Sequence, residues 1–433
     1  KRDEFDKKII KFKERFQVTY SIISWEYMKL IPIANDLNNS WTSPLNMDVR
    51  RSSDSLSVVA ALNYFQSIYE EDLKNAGVSL KKLKTIQRKV SKNIVPSERI
   101  VNLEIAYNKL DVFKTTYQGY GLIGLLMLIL FFIKIFLSKS PKVLELLRNV
   151  MFVALIGFFL FHASGLAMRW LISGHAPWSN GYEAVVFIAW VSMLAGFFFS
   201  RKNAVVIAGT AILAALMIFV TEMNLLDPEI TPLQPVLKSY WLMIHVAVIT
   251  GSYGFLGLAC ILGLLNLILY TSQTRKNKGV VKRNIRELTY VSEMTMTIGL
   301  FMLTIGTFLG GIWANESWGR YWGWDPKETW ALVSVLVYAV ILHLRFIPGL
   351  KSKFTFNLVA FWGYSAILFT FFGVNFVLVG LHSYAQGDGL SDIPNWIGFT
   401  ALFFLLFSII AYLREKRMKL KTPSIKRVKK LIN

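Results

Sequence analysis

The chain has 433 residues, of which 54% are hydrophobic and only 17% are charged, and its formal net charge is +21. Soluble domains carry about a quarter charged residues, so this composition indicates a membrane protein. The single cysteine, Cys260, excludes a disulfide framework and a cysteine-based metal site.

The N-terminal segment, residues 1–118, is the part of the chain with ordinary polar sequence. Amphipathic patterns predict helices over 53–73 and 97–114, and Pro96-Ser97 before Glu98 is typical of a helix start. We interpret the segment as a mostly helical, water-exposed domain. Because the chain opens without an initiator Met or a signal peptide, we also expect it to be the C-terminal part of a longer protein or a processed product.

After residue 118 the pattern changes to long apolar stretches. A bilayer core of about 30 Å requires about 20 apolar residues of helix, and a lipid-exposed backbone must satisfy its own hydrogen bonds. The sequence therefore predicts an all-α polytopic membrane protein whose membrane domain covers 119–413. The nine predicted transmembrane helices are 119–138, 150–172, 183–200, 203–223, 240–270, 293–313, 329–346, 355–382 and 396–413.

Basic residues alternate from one side of the predicted helices to the other. The regions rich in Lys and Arg are 139–149, 201–202, 275–286, 345–353 and the tail 414–433. The intervening loops hold two basic residues at most. The positive-inside rule then predicts a cytoplasmic tail in the inner (cytoplasmic) membrane, with residues 1–118 in the periplasm. Because topology and contact with anionic lipid explain the charge, we expect no nucleic-acid partner.

The loop predicted between the sixth and seventh helices is exceptionally aromatic. Residues 313–330 contain five tryptophans and Tyr321. Anchoring at the membrane interface would explain one or two of them. The interleaved glycines let the backbone lie close to a flat surface, and aromatic rings stack on large π systems. The pattern favours a platform for a flat ligand such as a porphyrin over a membrane anchor.

The run from Trp318 to Trp330, Trp-Gly-Arg-Tyr-Trp-Gly-Trp-Asp-Pro-Lys-Glu-Thr-Trp, resembles the "WWD" signature of the haem-handling proteins of cytochrome c maturation. It is most similar to the CcsA (ResC) type, which is often fused to a ResB (CcsB)-type half as in CcsBA synthases. The stretches 162–170, 174–183 and 380–385 are similar as well. The resemblance implies transport or receipt of haem b and its presentation at the external face to apocytochrome c. It also implies a haem lyase activity, of this chain alone or together with a ResB-type half.

Two histidines are predicted on the same side of the membrane as the tryptophan loop. His245 lies near the external end of the fifth helix and His382 at the external end of the eighth. Haem iron takes two axial ligands, and neutral imidazole suits it. The resemblance implies that this pair ligates the iron. We expect three tryptophans to stack on or edge the macrocycle and an aspartate to shape the platform: Trp318, Trp322, Trp324 and Asp325.

The remaining candidates lie elsewhere. His343 is about 22 Å from Glu328 along the seventh helix, so it cannot bind the same iron. The resemblance implies a second haem site there, completed by the ResB-type half, and an ordinary interfacial histidine is the alternative. Arg169 is predicted to pair with a haem propionate or to extend to the interface. The roles of His162 and His175 stay open.

Two other functions remain possible from the sequence. A haem exporter or delivery protein would pass haem to a chaperone without forming a covalent bond. A respiratory cytochrome b subunit would also bind haem in the membrane, but a tryptophan-rich loop is not expected of one.

Overall fold

The computed structural model describes residues 4–33, 36, 38, 40–45, 55–91, 94–137, 141–200, 203–223, 226–233, 237–378, 380 and 395–420. These residues are almost entirely helical, which confirms the predicted all-α class. The exception among them is an antiparallel pair of two-residue strands, β1 (Ile31–Pro32) and β2 (Trp41–Thr42). The chain divides into two compact units, Lys1–Asn102 and Leu103–Asn433.

In the part of the first unit that the structure describes, three helices precede Glu98 and accompany the strand pair. These helices are α1 (Glu4–Ile23), α2 (Ser55–Tyr69) and α3 (Leu73–Val90). Asp72 begins α3, because its side chain accepts a hydrogen bond from the Asn75 backbone N–H at 3.1 Å. A small apolar core forms between β1, α2 and α3; its buried residues are Ile31, Val58, Ala60, Ala61 and Leu83.

The second unit holds the long apolar helices. Among the described residues, nine helices are long and apolar enough to cross a membrane, which confirms the predicted number. The helices from α4 onward are α4 (Glu98–Leu110), α5 (Val112–Phe136), α6 (Lys142–Ser173), α7 (Gly181–Phe199), α8 (Ala204–Glu222), α9 (Tyr240–Ser272), α10 (Lys278–Trp318), α11 (Pro326–His343), α12 (Lys353–Leu368), α13 (Val374–Val377) and α14 (Asn395–Leu420). Helices α4 and α5 form one candidate span, and a single π turn, Phe369–Gly373, joins α12 to α13.

Helix α9 is the centre of this unit, since it packs against α7, α8, α10, α12 and α14. Its small residues allow close approach of neighbouring backbones, as is usual between membrane helices. A Cβ atom at Gly263 would lie 2.7 Å from the carbonyl oxygen of Asn357 in α12. A hydrogen bond between buried amides also links the two helices: Asn266 Nδ2 donates to Asn357 Oδ1 at 2.6 Å. Helix α9 carries His245 near its other end.

Candidate functional site

The tryptophan-rich segment is only partly a loop. Helix α10 continues to Trp318, and Gly319 ends it in the left-handed conformation (φ 72°). The Gly319 N–H donates to the Asn315 carbonyl at 2.9 Å, a usual glycine C-cap. The loop predicted over 313–330 is therefore limited to 319–325. The prediction was too wide because aromatic residues before Gly319 do not break a helix.

The next helix, α11, begins with a capping box. Asp325 accepts a hydrogen bond from the Lys327 backbone N–H at 3.1 Å, and Pro326 occupies the first helical position. The Glu328 carboxylate in turn accepts a hydrogen bond from the Asp325 backbone N–H at 3.3 Å. Asp325 thus fixes where the loop ends and α11 starts.

Glu328 also organises the loop itself, a role that we did not predict. Its carboxylate accepts a hydrogen bond from the Gly323 backbone N–H at 2.8 Å and pairs with the Arg320 guanidinium at 3.0 Å. Arg320 in turn lies over the Trp318 ring, 5.4 Å from its centroid. One largely buried carboxylate therefore holds the middle of the aromatic loop. The sequence signal was a glutamate three residues after a helix-capping aspartate.

The predicted platform rings do not form one flat surface. The Trp322 and Trp324 rings lie 5.8 Å apart at 89°. A planar ligand that stacks on one of them would meet the other edge-on. Trp324 is 69% exposed and has a positive φ of 56°, whereas Trp313 is 1% exposed and packs against the edge of Trp318. The exposed rings, Tyr321 among them, face outward from this buried support.

His245 lies in the second turn of α9, against α10. Its Nδ1 is 2.7 Å from the Gly306 carbonyl oxygen. Because a carbonyl oxygen only accepts, Nδ1 carries the proton, and a neutral ring then has its lone pair on Nε2. A Cβ atom at Gly310 would lie 2.6 Å from His245 Cε1, so the glycine makes room for the imidazole. Gly310 and Trp313 are three residues apart on α10, so they share a helix face, and Trp313 packs against Trp318.

The segment that leads to His382 lies against the start of α11. A Cβ atom at Gly380 would be 2.5 Å from Asp325 Oδ1, so Gly380 and the cap of α11 are in close contact. In addition, Lys327 Nζ donates to Asn375 Oδ1 at 2.6 Å and ties α11 to α13. His382 itself lies outside the described residues.

His343 is far from this cluster. It is the last residue of α11, an 18-residue helix that starts beside the tryptophan loop. At 1.5 Å per residue, about 25 Å separates the two ends. The exposed His343 ring donates from Nδ1 to the Ala339 carbonyl at 2.7 Å, so it too carries its lone pair on Nε2.

Arg169 is a structural residue, contrary to both of its predicted roles. It is 1% exposed, and its Nε donates to Glu183 Oε1 at 2.7 Å. The two Nη atoms donate to the Pro228 carbonyl at 2.8 Å and to the Glu229 carbonyl at 3.2 Å. Nη1 also donates to the Tyr107 hydroxyl at 3.3 Å. The buried guanidinium therefore does not extend to the interface, and four of its five N–H donors bind protein groups instead of a propionate.

The other two histidines differ in their surroundings. His162 is fully buried in the core of the second unit, 3.5 Å from the Tyr120 hydroxyl and edge-on to Phe113. His175 lies in the connection between α6 and α7, and its Nδ1 is 3.2 Å from the Ala176 carbonyl oxygen. Among the described residues, neither histidine contacts the tryptophan loop.

Comparison with known proteins identifies relatives over most of the chain. The model of the family described as "Cytochrome C assembly protein" matches residues 178–382. Protein NrfI of Wolinella succinogenes is 38% identical over 395 residues, which cover 90% of this chain and 43% of NrfI. The chain therefore spans less than half of that relative.

Two shorter relatives are matched over most of their length. Cytochrome c biogenesis protein CcsA of Guillardia theta is 35% identical over 242 residues, covering 51% of this chain and 80% of the relative. CcsA of Prochlorococcus marinus (strain MIT 9303) is 37% identical over 251 residues, covering 51% of this chain and 79% of the relative. With such identity over four fifths of these proteins, the chain belongs to the CcsA family of cytochrome c biogenesis proteins.

Proposed function

We propose that the chain binds haem b beside the 319–325 loop and presents it for covalent attachment to apocytochrome c. The observation that carries this proposal is the setting of His245: a backbone carbonyl orients the ring, and Gly310, three residues before Trp313 on the same helix, makes room for it. A hydrogen bond from the second ring nitrogen is the usual support of a metal-binding histidine.

His382 is the proposed second axial ligand. The contact of Gly380 with Asp325 supports this role, because Gly380 precedes His382 by two residues and lies at the edge of the same loop. Trp318, Trp322 and Trp324 would contact the macrocycle, one ring by stacking and another by its edge. Asp325 and Glu328 would hold the loop in place while the substrates react.

Attachment requires positioning more than acid–base catalysis. Each thiol of a Cys-x-x-Cys-His segment adds across one haem vinyl group: sulfur bonds to one carbon, the hydrogen goes to the other, and no net redox change occurs. Holding the reacting groups together can contribute several kcal/mol to such a step. The exposed side of Trp324 and Tyr321 is where an apocytochrome segment would approach.

A second haem position is proposed at His343. The Nε2 lone pair and the exposed ring suit an axial ligand whose partner comes from another polypeptide. We propose a ResB (CcsB)-type half as that partner, and an orientation with the basic loops in the cytoplasm and the tryptophan loop in the periplasm. Haem would then enter at His343 and leave at the tryptophan loop.

Spectroscopy of purified variants tests the ligand assignment. His245→Ala and His382→Ala should each abolish the low-spin bis-histidine spectrum of bound haem, and added imidazole should restore it. His175→Ala is the matched control at the same end of the helices and should leave the spectrum unchanged. An unchanged spectrum in both ligand variants would refute the proposal.

Haem delivery without bond formation is the alternative function, because the exposed rings would equally serve transfer to a chaperone. Co-expression with an apocytochrome c separates the two. Covalent haem staining of the cytochrome, absent without this chain, is expected for the lyase. Transfer of non-covalent haem alone would favour delivery.

A further inference from the structure

A cleft of about 300 Å³ opens where α5 ends and α6, α8 and α10 begin. The loops rich in Lys and Arg lie at this end of the second unit. The tryptophan loop follows the other end of α10. We call this cleft the basic cleft. None of the described histidines lines it, so its residues belong to neither proposed haem position.

The walls of the basic cleft are apolar. Met127 and Phe131 of α5 and Met151 of α6 are among its lining residues. Ala204, the first residue of α8, also lines it and has only a small side chain. Such walls suit a hydrocarbon chain better than a soluble anion, because apolar side chains offer an anion no hydrogen-bond donors.

The lining of the basic cleft also carries cationic side chains. Arg148 and Arg283 belong to it, and neither lies within ion-pair distance of a carboxylate among the described residues. Arg148 Nε and Nη2 donate to Asn149 Oδ1 at 3.2 and 2.9 Å. Of the two carboxylates in the lining, Glu145 pairs with Lys134 at 3.4 Å, and Glu287 accepts a hydrogen bond from the neutral Asn203 Nδ2 at 3.3 Å and so keeps its charge. The basic side chains of the lining still exceed the acidic ones by one, and the Arg283 guanidinium together with Arg148 Nη1 offers donors that match a phosphate.

We propose that the basic cleft binds one anionic glycerophospholipid, with its phosphodiester held by Arg148 and Arg283 and an acyl chain along Met127, Phe131 and Met151. Basic pockets between membrane helices on the side of the basic loops are suited to anionic headgroups. The bound lipid would fill the gap between the ends of α5, α6, α8 and α10. This site is independent of the proposed haem chemistry.

Native mass spectrometry of the full chain in nanodiscs tests the site. The nanodiscs contain equal amounts of phosphatidylglycerol and phosphatidylethanolamine, and the lipid retained after detergent release is counted. Each basic side chain in contact with the headgroup contributes about fivefold to binding of an anionic lipid, so Arg148→Gln with Arg283→Gln should lower retained phosphatidylglycerol about 30-fold. Retained phosphatidylethanolamine should not change.

The control is Lys282→Gln with Arg286→Gln, which removes the same charge from exposed positions of α10 outside the cleft. Its retention of phosphatidylglycerol should fall less than twofold. Equal losses in the two double variants, or no loss in either, would overturn the proposal. Displacement of the lipid by inorganic phosphate would reduce the site to a phosphate site, and displacement by haemin would assign the cleft to haem; either result also overturns it.

Discussion

The His245 imidazole and Gly306 are joined by a hydrogen bond of 2.7 Å from Nδ1 to the carbonyl oxygen, which links α9 to α10. This bond sets both the tautomer and the direction of the ring. One turn further along α10, Gly310 leaves the space that the ring occupies. The two helices therefore determine together where an axial ligand would be held.

Gly310→Ala should displace the His245 ring, because the new methyl group would lie 2.6 Å from Cε1. We expect the affinity for low-spin haem to fall at least about tenfold, because about 1.4 kcal/mol of strain in the ligated position of the ring is enough for that change. Absorption spectra of purified protein measure it. Gly157→Ala is the control, because nothing lies within 4 Å of a Cβ atom there. Equal haem loss in both variants would contradict the role of Gly310.

Lys327→Met should destabilise the protein by about 1.5–3 kcal/mol, the usual range for a lost hydrogen bond to a charged group. Its partner Asn375, 2.6 Å away, lies on the segment that leads to His382, so the haem spectrum should change as well. Thermal unfolding in detergent and absorption spectra provide the two readouts. Lys238→Met, at an exposed position, should affect neither. If Asn375→Leu and Lys327→Met had fully additive effects, the two side chains would not be coupled.

Arg169→Met should destabilise the protein by about 3–5 kcal/mol, because Glu183 would stay buried without its partner. The double variant with Glu183→Met should be more stable than the single variant, since it leaves no buried charge. Haem content per folded molecule should stay unchanged in both. A drop in haem content at unchanged stability would instead support the prediction that Arg169 pairs with a haem propionate.

Glu328→Ala should loosen the loop between α10 and α11. It removes the ion pair to Arg320 and the hydrogen bonds to the Gly323 and Asp325 N–H groups. We expect transfer of bound haem to apomyoglobin to become about tenfold faster or more, with unchanged helical content by circular dichroism. Glu316→Ala, which loses a single bond to Ser239 at the exposed end of α10, should change the rate much less. A rate equal to that of Glu316→Ala would show that the loop does not depend on Glu328.

The sequence by itself determined the membrane class, the number of spans and the family. Apolar stretches of about 20 residues are stable in lipid as membrane-spanning helices, so they could be predicted without knowledge of the tertiary structure. The start of α11 was equally local, because Asp325, Pro326 and Glu328 carry a capping signal within four positions. Gly319 was a usable signal for the end of α10, but the aromatic composition before it led us to predict a loop that was too long.

Only the tertiary structure decided which polar groups meet. Arg169 and Glu183 are 14 residues apart, His245 and Gly306 are 61 apart, and Lys327 and Asn375 are 48 apart. No local pattern encodes such pairs, because they depend on which helix faces are turned toward each other when the bundle packs. Arg169 was therefore assigned to a haem propionate, whereas in the packed protein its guanidinium binds Glu183, the Tyr107 hydroxyl and two backbone carbonyls. The bonds from Glu328 to Arg320 and to the Gly323 N–H likewise depend on how the loop folds back toward α11.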